Sequence, residues 1–301
     1  HNIRGNFRYT NKKTFTSVNA RFGGSLVENA ITSAQWYDPA GVQYSIPVNG
    51  PASGNVDARI MVNSPFGKSD FSIFSMTNAS YNQSTSYIGT GKLDTSKYYD
   101  AENADFDYEA FHRDFPTLDG TDEFSTNKIQ SMSFMQRLRF TYRNDFVELT
   151  AGGRTRMSKS WYTVASAKNT TTWSNQVSGS MNWTIPGGVN LIADVDYNWY
   201  NGYSTPQEDE IILNAEITKL LFKKKFTLGL KAYDILGQSK NLSVSDASNY
   251  HLETRNNTLG RYIILSLTYR FGNFNGNGQQ RRGPGGPGGF GGGHHGGYRR
   301  F

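Results

Sequence analysis

Apolar and polar side chains alternate along the chain, most regularly between Asn127 and Phe271. In residues 259–271 the even and odd positions differ in chemistry: Leu265, Leu267 and Tyr269 share one parity, whereas Ser266, Thr268 and Arg270 share the other. Residues 130–143 and 189–199 repeat this pattern. A period of two residues is typical of a β-strand with one apolar and one polar face. The alternating stretches therefore predict strands, and the turn-forming clusters between them predict their ends.

The pattern predicts eleven strands joined by alternating short and long connections. The strands are predicted at residues 2–10, 13–22, 54–64, 69–82, 127–143, 145–161, 171–184, 188–201, 208–221, 225–235 and 257–271. Residues 43–47 could pair within their own connection. Short turns on one side and long loops on the other are typical of bacterial outer-membrane barrels.

Composition decides between a membrane barrel and other all-β folds. The chain is 36% apolar and 14% aromatic, and its mean hydropathy is −0.60. No run is long and apolar enough for a transmembrane helix, but alternating barrel strands keep mean hydropathy low. Aromatic residues recur beside the short turns, where they would form an interfacial band. These residues are Tyr9, Phe66, Tyr142, Phe146, Trp183, Phe222, Phe226, Tyr269 and Phe271.

We therefore predict an all-β, antiparallel transmembrane β-barrel over residues 1–271. A soluble β-sandwich, with its apolar faces in a core, is the alternative for any single strand. A closed single-chain bacterial barrel has an even number of strands. Eleven strands are half of twenty-two, so we expect the C-terminal half of a larger barrel. The chain starts at His1 without a signal sequence, and we expect residues before it.

Residues 272–301 differ from the rest in composition. They are rich in glycine, and four arginines there supply most of the formal net charge of +6. Such a segment cannot bury a core, and we expect a disordered tail in the periplasm that acts as a tether or docking peptide. Nucleic acid is not an expected partner. The chain has no cysteine, which excludes disulfides and thiolate metal sites.

Charged residues lie on the polar parity of the predicted strands. A water-filled barrel needs such residues to solvate its interior, and a ligand-binding or plug-docking surface is the alternative. Pairing of Glu148 with Arg137 or Arg139 is possible between neighbouring strands. We predict that the arginines lie together in a possible lumen charge cluster. This cluster comprises Arg137, Arg139, Glu148, Arg154, Arg156, Asp194 and Asp196.

The connection at residues 83–125 is too long for a plain loop, and it is acidic and aromatic. We expect an external loop that is solvated or folded into the lumen. Contact with a ligand or a surface lipoprotein is the alternative, with Asp105, Phe106, Asp107 and Tyr108 as contact residues. Calcium binding is a weaker alternative, because the ordered ligand spacing of an EF-hand is missing.

The sequence gives no sign of catalysis. The histidines His1, His112, His251, His294 and His295 fall in predicted loops or in the tail, and none has the spacing of a base beside a nucleophile. We therefore expect no enzyme, no cofactor and no metal site.

The C-terminal part of the barrel region resembles a known family. The matching pieces are Leu213-Asn214-Ala215, residues 232–237 (AYDILG) and residues 258–271 (TLGRYIILSLTYRF). They resemble the end of the outer-membrane β-barrels related to TonB-dependent receptors. The terminal strand, with Tyr269 and Phe271, is similar to the signal that the barrel-assembly machinery recognises.

The resemblance implies a twenty-two-stranded barrel, with a plug domain, that imports a scarce external ligand. The implied location is the outer membrane of a Gram-negative bacterium, among its lipids, and the implied partners are a TonB-type coupling protein and a surface lipoprotein. A barrel that transports nothing and scaffolds surface lipoproteins or an assembly or secretion complex is the alternative. The substrate cannot be inferred from the sequence.

Overall fold

The computed structural model describes most of the chain. The described residues are 1–37, 42–90, 92–100, 105–118, 121–164, 168–204, 206–222, 225–239, 241–246, 251–256 and 259–271. The predicted tail therefore lies outside the described residues. Within the described part of the chain, no helix has both the length and the apolar character needed to cross a bilayer.

The fold is all-β, as predicted, and it also contains one short α-helix that was not predicted. The strands are β1 Asn2–Thr10, β2 Ser17–Val27, β3 Ile31–Tyr37, β4 Gln43–Asn49, β5 Ser53–Pro65, β6 Phe71–Gly89, β7 Tyr99–Asp100, β8 Asp105–Phe106, β9 Phe124–Arg143, β10 Val147–Tyr162, β11 Thr170–Ile185, β12 Val189–Asn201, β13 Glu210–Leu221, β14 Phe226–Tyr233, β15 Asn241–Asp246, β16 His251–Asn256 and β17 Tyr262–Tyr269. The helices are a 3₁₀ turn, Ser96–Tyr98, and α1, Tyr108–Leu118.

Eleven of these strands form one antiparallel path in the order β1-β2-β5-β6-β9-β10-β11-β12-β13-β14-β17. The eleven predicted strands are thus confirmed, and the pairing expected near residues 43–47 is present as the β3–β4 hairpin. The sheet is open among the described residues, since β1 and β17 do not pair with each other. An odd number of antiparallel strands also leaves β1 and β17 running in the same direction.

Local hydrogen bonds explain where the observed strand ends differ from the predicted ones. Strand β2 begins at Ser17 rather than at residue 13, because Asn11 organises a longer turn. Its Oδ1 accepts hydrogen bonds from the backbone N–H groups of Lys13 at 2.9 Å and Thr14 at 3.3 Å. Strand β17 begins at Tyr262 instead of residue 257, after Gly260 in the left-handed region (φ 68°).

Strands β6 and β9 extend well beyond their neighbours. They pair continuously from Phe71 opposite Tyr142 to Gly89 opposite Phe124. The β3–β4 hairpin joins the far part of this ribbon through parallel pairing of β3 with β6. The expected external loop at 83–125 is thus shorter than predicted, because strand structure occupies both of its ends.

The described residues of the remaining segment pack as a folded unit rather than a plain solvated loop, and its position relative to a lumen stays a prediction. Phe111, Phe115 and Leu118 form one buried face of α1, at helical spacing. This face packs on the β3–β4 hairpin and on the paired far ends of β6 and β9. We call α1, the β3–β4 hairpin and the segment around Tyr98 and Phe106 the cap. The buried residues of the cap core are Ala34, Trp36, Ile46, Val48, Tyr87, Tyr98, Phe106, Phe111, Phe115, Leu118 and Phe124.

Candidate functional site

The pairing register divides the eleven-stranded sheet into two continuous faces. On the polar face, Arg8 is opposite Asn19, Arg137 is opposite Arg154, and Asp194 is opposite Asn214. On the apolar face, Phe140 is opposite Ala151, and Leu230 is opposite Leu265. Polar and apolar side chains are largely separated onto opposite faces because the side-chain period of a strand is two.

The apolar face is exposed over the whole sheet. Ile3 in the first strand and Leu265 in the last are each 71% exposed. Large exposed apolar patches mark surfaces that meet lipid or another protein. The exposed members of this face include Ile3, Phe7, Phe22, Val56, Ile60, Leu138, Phe140, Leu149, Val177, Val195, Ile217, Leu228, Leu230, Ile263, Leu265 and Leu267.

Aromatic residues border the apolar face at both ends. Trp183 lies near the short turns, with the predicted aromatic residues around it, and Trp173 lies on the same strand and face near the long connections. Other aromatic residues of this face at the second end are Tyr81, Trp161, Tyr197 and Trp199. The sequence prediction named only the first band. The aromatic residues of the second band also occupy apolar-parity positions, near the opposite end of each strand, and so could have been identified from the sequence.

Charged residues on the apolar face lie only at its margins in the described strands. Lys219, one row beyond Trp183, donates a hydrogen bond from Nζ to the Gly187 carbonyl in a short turn (2.8 Å). Lys159, within the second band and beside Trp161 on the same face, places Nζ 4.8 Å from the centroid of the Trp161 ring. Lysines at these positions keep the ammonium group at the edge of the apolar zone.

A few polar residues lie near the middle of the apolar face, and they hydrogen-bond to one another. Thr77 donates from Oγ1 to Gln136 Oε1 at 2.5 Å, and Gln136 donates from Nε2 to Ser75 Oγ at 3.1 Å. Thr155 likewise donates from Oγ1 to Asn175 Oδ1 at 2.6 Å. These bonds reduce the cost of placing polar groups away from water.

The arginines of the predicted charge cluster lie on two adjacent strands of the polar face. Arg137 of β9 is directly opposite Arg154 of β10, and Arg139 and Arg156 are two residues away on the same face. The guanidinium of Arg139 lies 5.1 Å from the centroid of the Phe74 ring. The sequence pattern therefore identified residues that the register brings together.

Glu148 forms neither of the two pairings that the sequence left possible, with Arg137 or with Arg139. Glu148 is opposite Arg143, and the Arg143 guanidinium binds its carboxylate, with 2.6 Å between Nη2 and Oε2. The pairing follows from register: Arg143 and Glu148 flank the β9–β10 turn, whereas Arg139 is opposite Gly152. The sequence alone does not fix this register.

The two aspartates of the cluster, Asp194 and Asp196, lie on β12, with further acidic residues on β13. Asn214 donates to Asp194 from Nδ2 (2.7 Å) and accepts from the backbone N–H of Asp234 (2.8 Å). Asp234 is buried, and its carboxylate accepts from the backbone N–H groups of Gln238 and Ser239, both at 3.0 Å. Asn214 and Asp234 belong to the two short motifs of the family resemblance, so those motifs meet in space.

Buried polar groups continue along β12 and β13. Glu210 is buried and accepts hydrogen bonds at Oε1 from Asn198 Nδ2 (3.1 Å) and from the Tyr200 hydroxyl (2.9 Å). Further along, Glu216 pairs with Lys231, with 2.8 Å between Oε2 and Nζ. The carboxylates on these strands are therefore largely satisfied within the sheet.

The four residues predicted as external contacts have different environments. Phe106 is buried in the cap core, and Asp107 accepts from the backbone N–H of Ala110 (2.9 Å) at the start of α1. Tyr108 is 55% exposed. The backbone of Asp105 forms β8, and its side chain is outside the described part of the structure. Asp107 and Tyr108 are thus the predicted contacts that the cap presents to solvent.

Tyr98 links the acidic residues of the cap to its core. Its ring is buried, and its hydroxyl donates a hydrogen bond to Asp114 Oδ2 (3.1 Å). Burial raises the pKa of the Tyr98 phenol, because the charged form would be poorly solvated there. His112 lies in α1, not in a loop as expected, with its ring centroid 6.3 Å from that of Phe111.

The terminal-strand aromatics lie at the short-turn end of the sheet. The ring centroids of Tyr269 and Phe271 are 4.3 Å apart, and Tyr269 also contacts Phe226 of the neighbouring strand (4.5 Å). Phe271 is largely exposed. Whether these residues act as an assembly signal stays a prediction.

Neither metal ligands nor known relatives identify the protein. In the described ranges, no three His, Asp or Glu side chains come together as metal ligands would. The chain matched no protein-family model, no curated protein and no solved structure.

Proposed function

We propose that this chain forms part of the wall of an outer-membrane β-barrel, related to TonB-dependent receptors, that takes up an external ligand. One observation supports the membrane location most directly. Between the two aromatic bands, the apolar face of the eleven strands has no charged residue. A water-exposed sheet face of this size would be an aggregation hazard, whereas lipid would solvate it.

The spacing of the two bands agrees with the thickness of a bilayer. Trp173 and Trp183 are ten positions apart on one strand, which corresponds to about 33 Å at about 3.3 Å per residue. At a tilt of about 45°, this length spans about 23 Å along the membrane normal, close to the apolar band of about 25 Å in outer-membrane barrels. Aromatic residues at both ends would lie at the two interfaces.

The open sheet agrees with a larger barrel. An edge strand in a bilayer must find a partner for its backbone groups. Because β1 and β17 run in the same direction, antiparallel closure needs an odd number of further strands. Eleven more strands would satisfy this condition and give twenty-two. The polar face would then line a water-filled interior.

The membrane location is tested with two single-cysteine variants, since the chain has no cysteine of its own. Val195 and Asp196 are adjacent on β12 and face opposite sides of the sheet. In isolated outer membranes, a water-soluble maleimide should label Asp196→Cys and not Val195→Cys. A fluorophore attached to each purified variant and reconstituted in bilayers should be quenched by lipid-bound nitroxide only at position 195. Equal labelling and equal quenching would refute the proposal.

A second role is supported by the cap. The cap has its own aromatic core and exposes Tyr37, Tyr99 and Tyr108, and tyrosine is enriched at protein interfaces. A scaffold for a surface lipoprotein would use such a surface. Purification from native membranes in mild detergent separates the roles. A stoichiometric lipoprotein whose binding is lost in Tyr108→Ala, with no effect on ligand uptake by cells, would favour the scaffold.

A further inference from the structure

Arginines greatly outnumber carboxylates on the polar face of β1, β2, β5, β6, β9 and β10. The carboxylates on this part of the face are Asp57 and Glu148, and Glu148 is bound by Arg143. The other carboxylates of the polar face lie on β12 and β13. The arginines of this part are Arg4, Arg8, Arg21, Arg59, Arg137, Arg139, Arg143, Arg154 and Arg156.

The register places like charges directly opposite each other. Arg21 is opposite Arg59, and Arg137 is opposite Arg154. Directly opposed like charges destabilise a strand pair. Arg21 is held by a hydrogen bond from Nε to Asn6 Oδ1 (3.0 Å). For Arg137 and Arg154, no carboxylate of the described residues lies within 4.0 Å of a guanidinium nitrogen.

The spacing of the arginines on β9 and β10 suits a ligand with more than one anionic group. Adjacent strands lie about 4.8 Å apart, and side chains two residues apart on one strand are about 6.8 Å apart. Arg139 and Arg156 lie on opposite sides of the Arg137–Arg154 pair, so the four arginines cover a patch of about 5 by 14 Å at the level of the backbone. Guanidinium binds carboxylate and phosphate groups with two parallel hydrogen bonds.

We propose that Arg137, Arg139, Arg154 and Arg156 bind a small solute that has two or more carboxylate or phosphate groups. The inference rests on the proposed function, in which this face lines the water-filled interior. An anion at this site relieves the repulsion between Arg137 and Arg154. Gln176, opposite Arg154 on β11, supplies an additional neutral polar group at the edge of the patch.

The proposal is tested by calorimetric titration of the full-length protein in lipid nanodiscs. The probes are citrate and tripolyphosphate, with a neutral trisaccharide as the uncharged control. The double variant Arg137→Gln/Arg154→Gln should bind each anion about 100-fold more weakly, at about tenfold for each lost charged contact. The double variant Lys12→Gln/Lys13→Gln removes the same charge from an exposed turn and should bind as the wild type does.

A conservative variant separates binding from folding. Arg137→Lys/Arg154→Lys keeps both charges, and it should recover part of the affinity while losing bidentate contacts. Binding should also weaken as sodium chloride is raised from 50 to 500 mM, because salt screens the attraction between the arginines and the anion. The Debye length is about 10 Å at 0.1 M salt and shorter at higher concentrations. The inference is overturned if the wild type binds neither anion at millimolar concentration, or if the glutamine variant binds as tightly as the wild type.

The cysteine labelling described above keeps this inference distinct from the proposed function. If water reaches Asp196→Cys and not Val195→Cys, and no anion binds, the anion site is wrong and the membrane location stands. If both positions behave alike, the membrane location is wrong, and anion binding by the arginines is then a property of an exposed sheet.

Discussion

Replacement of Phe111 by alanine should open the cap and leave the sheet assembled. The Phe111 side chain is 0% exposed and lies at the centre of the cap core. Its ring centroid is 5.2 Å from that of Trp36 and 5.3 Å from that of Tyr98, and three further rings lie within 6.2 Å. Truncation of a buried phenylalanine costs about 3–5 kcal/mol, which includes the cavity that is left.

The free energy of opening is read from hydrogen exchange of the α1 amides. A loss of about 3 kcal/mol increases the open population roughly 150-fold, so exchange in α1 should accelerate by about two orders of magnitude. Amides of β11 and β12 should exchange as in the wild type, because the cap core does not include these strands. Tyr108→Ala, on the same helix but at an exposed position, is the matched control and should have little effect.

Two outcomes would refute this reasoning. Unchanged exchange in α1 would mean that the aromatic cluster does not stabilise the cap. Loss of the folded, heat-modifiable form on gel electrophoresis would mean that cap and sheet fold as one cooperative unit.

Three further predictions concern the sheet and the cap. Asn214→Ala removes the hydrogen bond to Asp194 and the one from the Asp234 N–H that joins the two short motifs; it should cost about 1–3 kcal/mol and lower the temperature at which the heat-modifiable form is lost, whereas an unchanged temperature would deny these contacts a structural role. Val195→Arg places a charge in the middle of the apolar face; if that face meets lipid, it should cost about 2–4 kcal/mol and reduce assembly in membranes, and normal assembly would argue against the bilayer. The raised pKa of Tyr98 means that the folded cap holds the phenolic proton more tightly than the unfolded chain does. The resulting stabilisation is fully present below the unfolded pKa of about 10, and it is lost as the pH rises through the folded pKa. Proteolysis of the cap should therefore increase more between pH 8 and 11 in the wild type than in Tyr98→Phe, and equal increases would contradict the assignment.

The sequence was sufficient for the strands of the sheet because their information is local. Alternation in residues 130–143 or 189–199 defines a strand and its two faces without knowledge of its neighbours. Strand ends were less accurate, since they depend on turn chemistry such as the hydrogen bonds of Asn11. The same parity rule also indicates the second aromatic band, once the far end of each strand is considered.

The pairing of charged residues could not be predicted in the same way. The partner of Glu148 depends on the pairing register of β9 and β10. Arg139 and Arg143 are only a few residues apart on β9, so a small change in register would change which arginine lies opposite Glu148. The cap was missed for a related reason. Phe111 and Phe115 are spaced as on a helix, but a short acidic segment gives a weak helical signal, and its buried face exists only because residues near Trp36, far away in sequence, cover it.

The length of β6 and β9 determines how the cap can move. Ala79 of β6 lies in the same row of the sheet as Trp173, a residue of the second aromatic band. The ten residues of β6 that follow Ala79 continue past this row and pair with β9 as far as Gly89. Two continuous strands, rather than flexible linkers, therefore connect the cap to the sheet. Bending this ribbon sharply would break backbone hydrogen bonds that are worth about 0.5–1.5 kcal/mol each. The cap is thus coupled to the sheet through paired strands and cannot swing aside like a hinged domain.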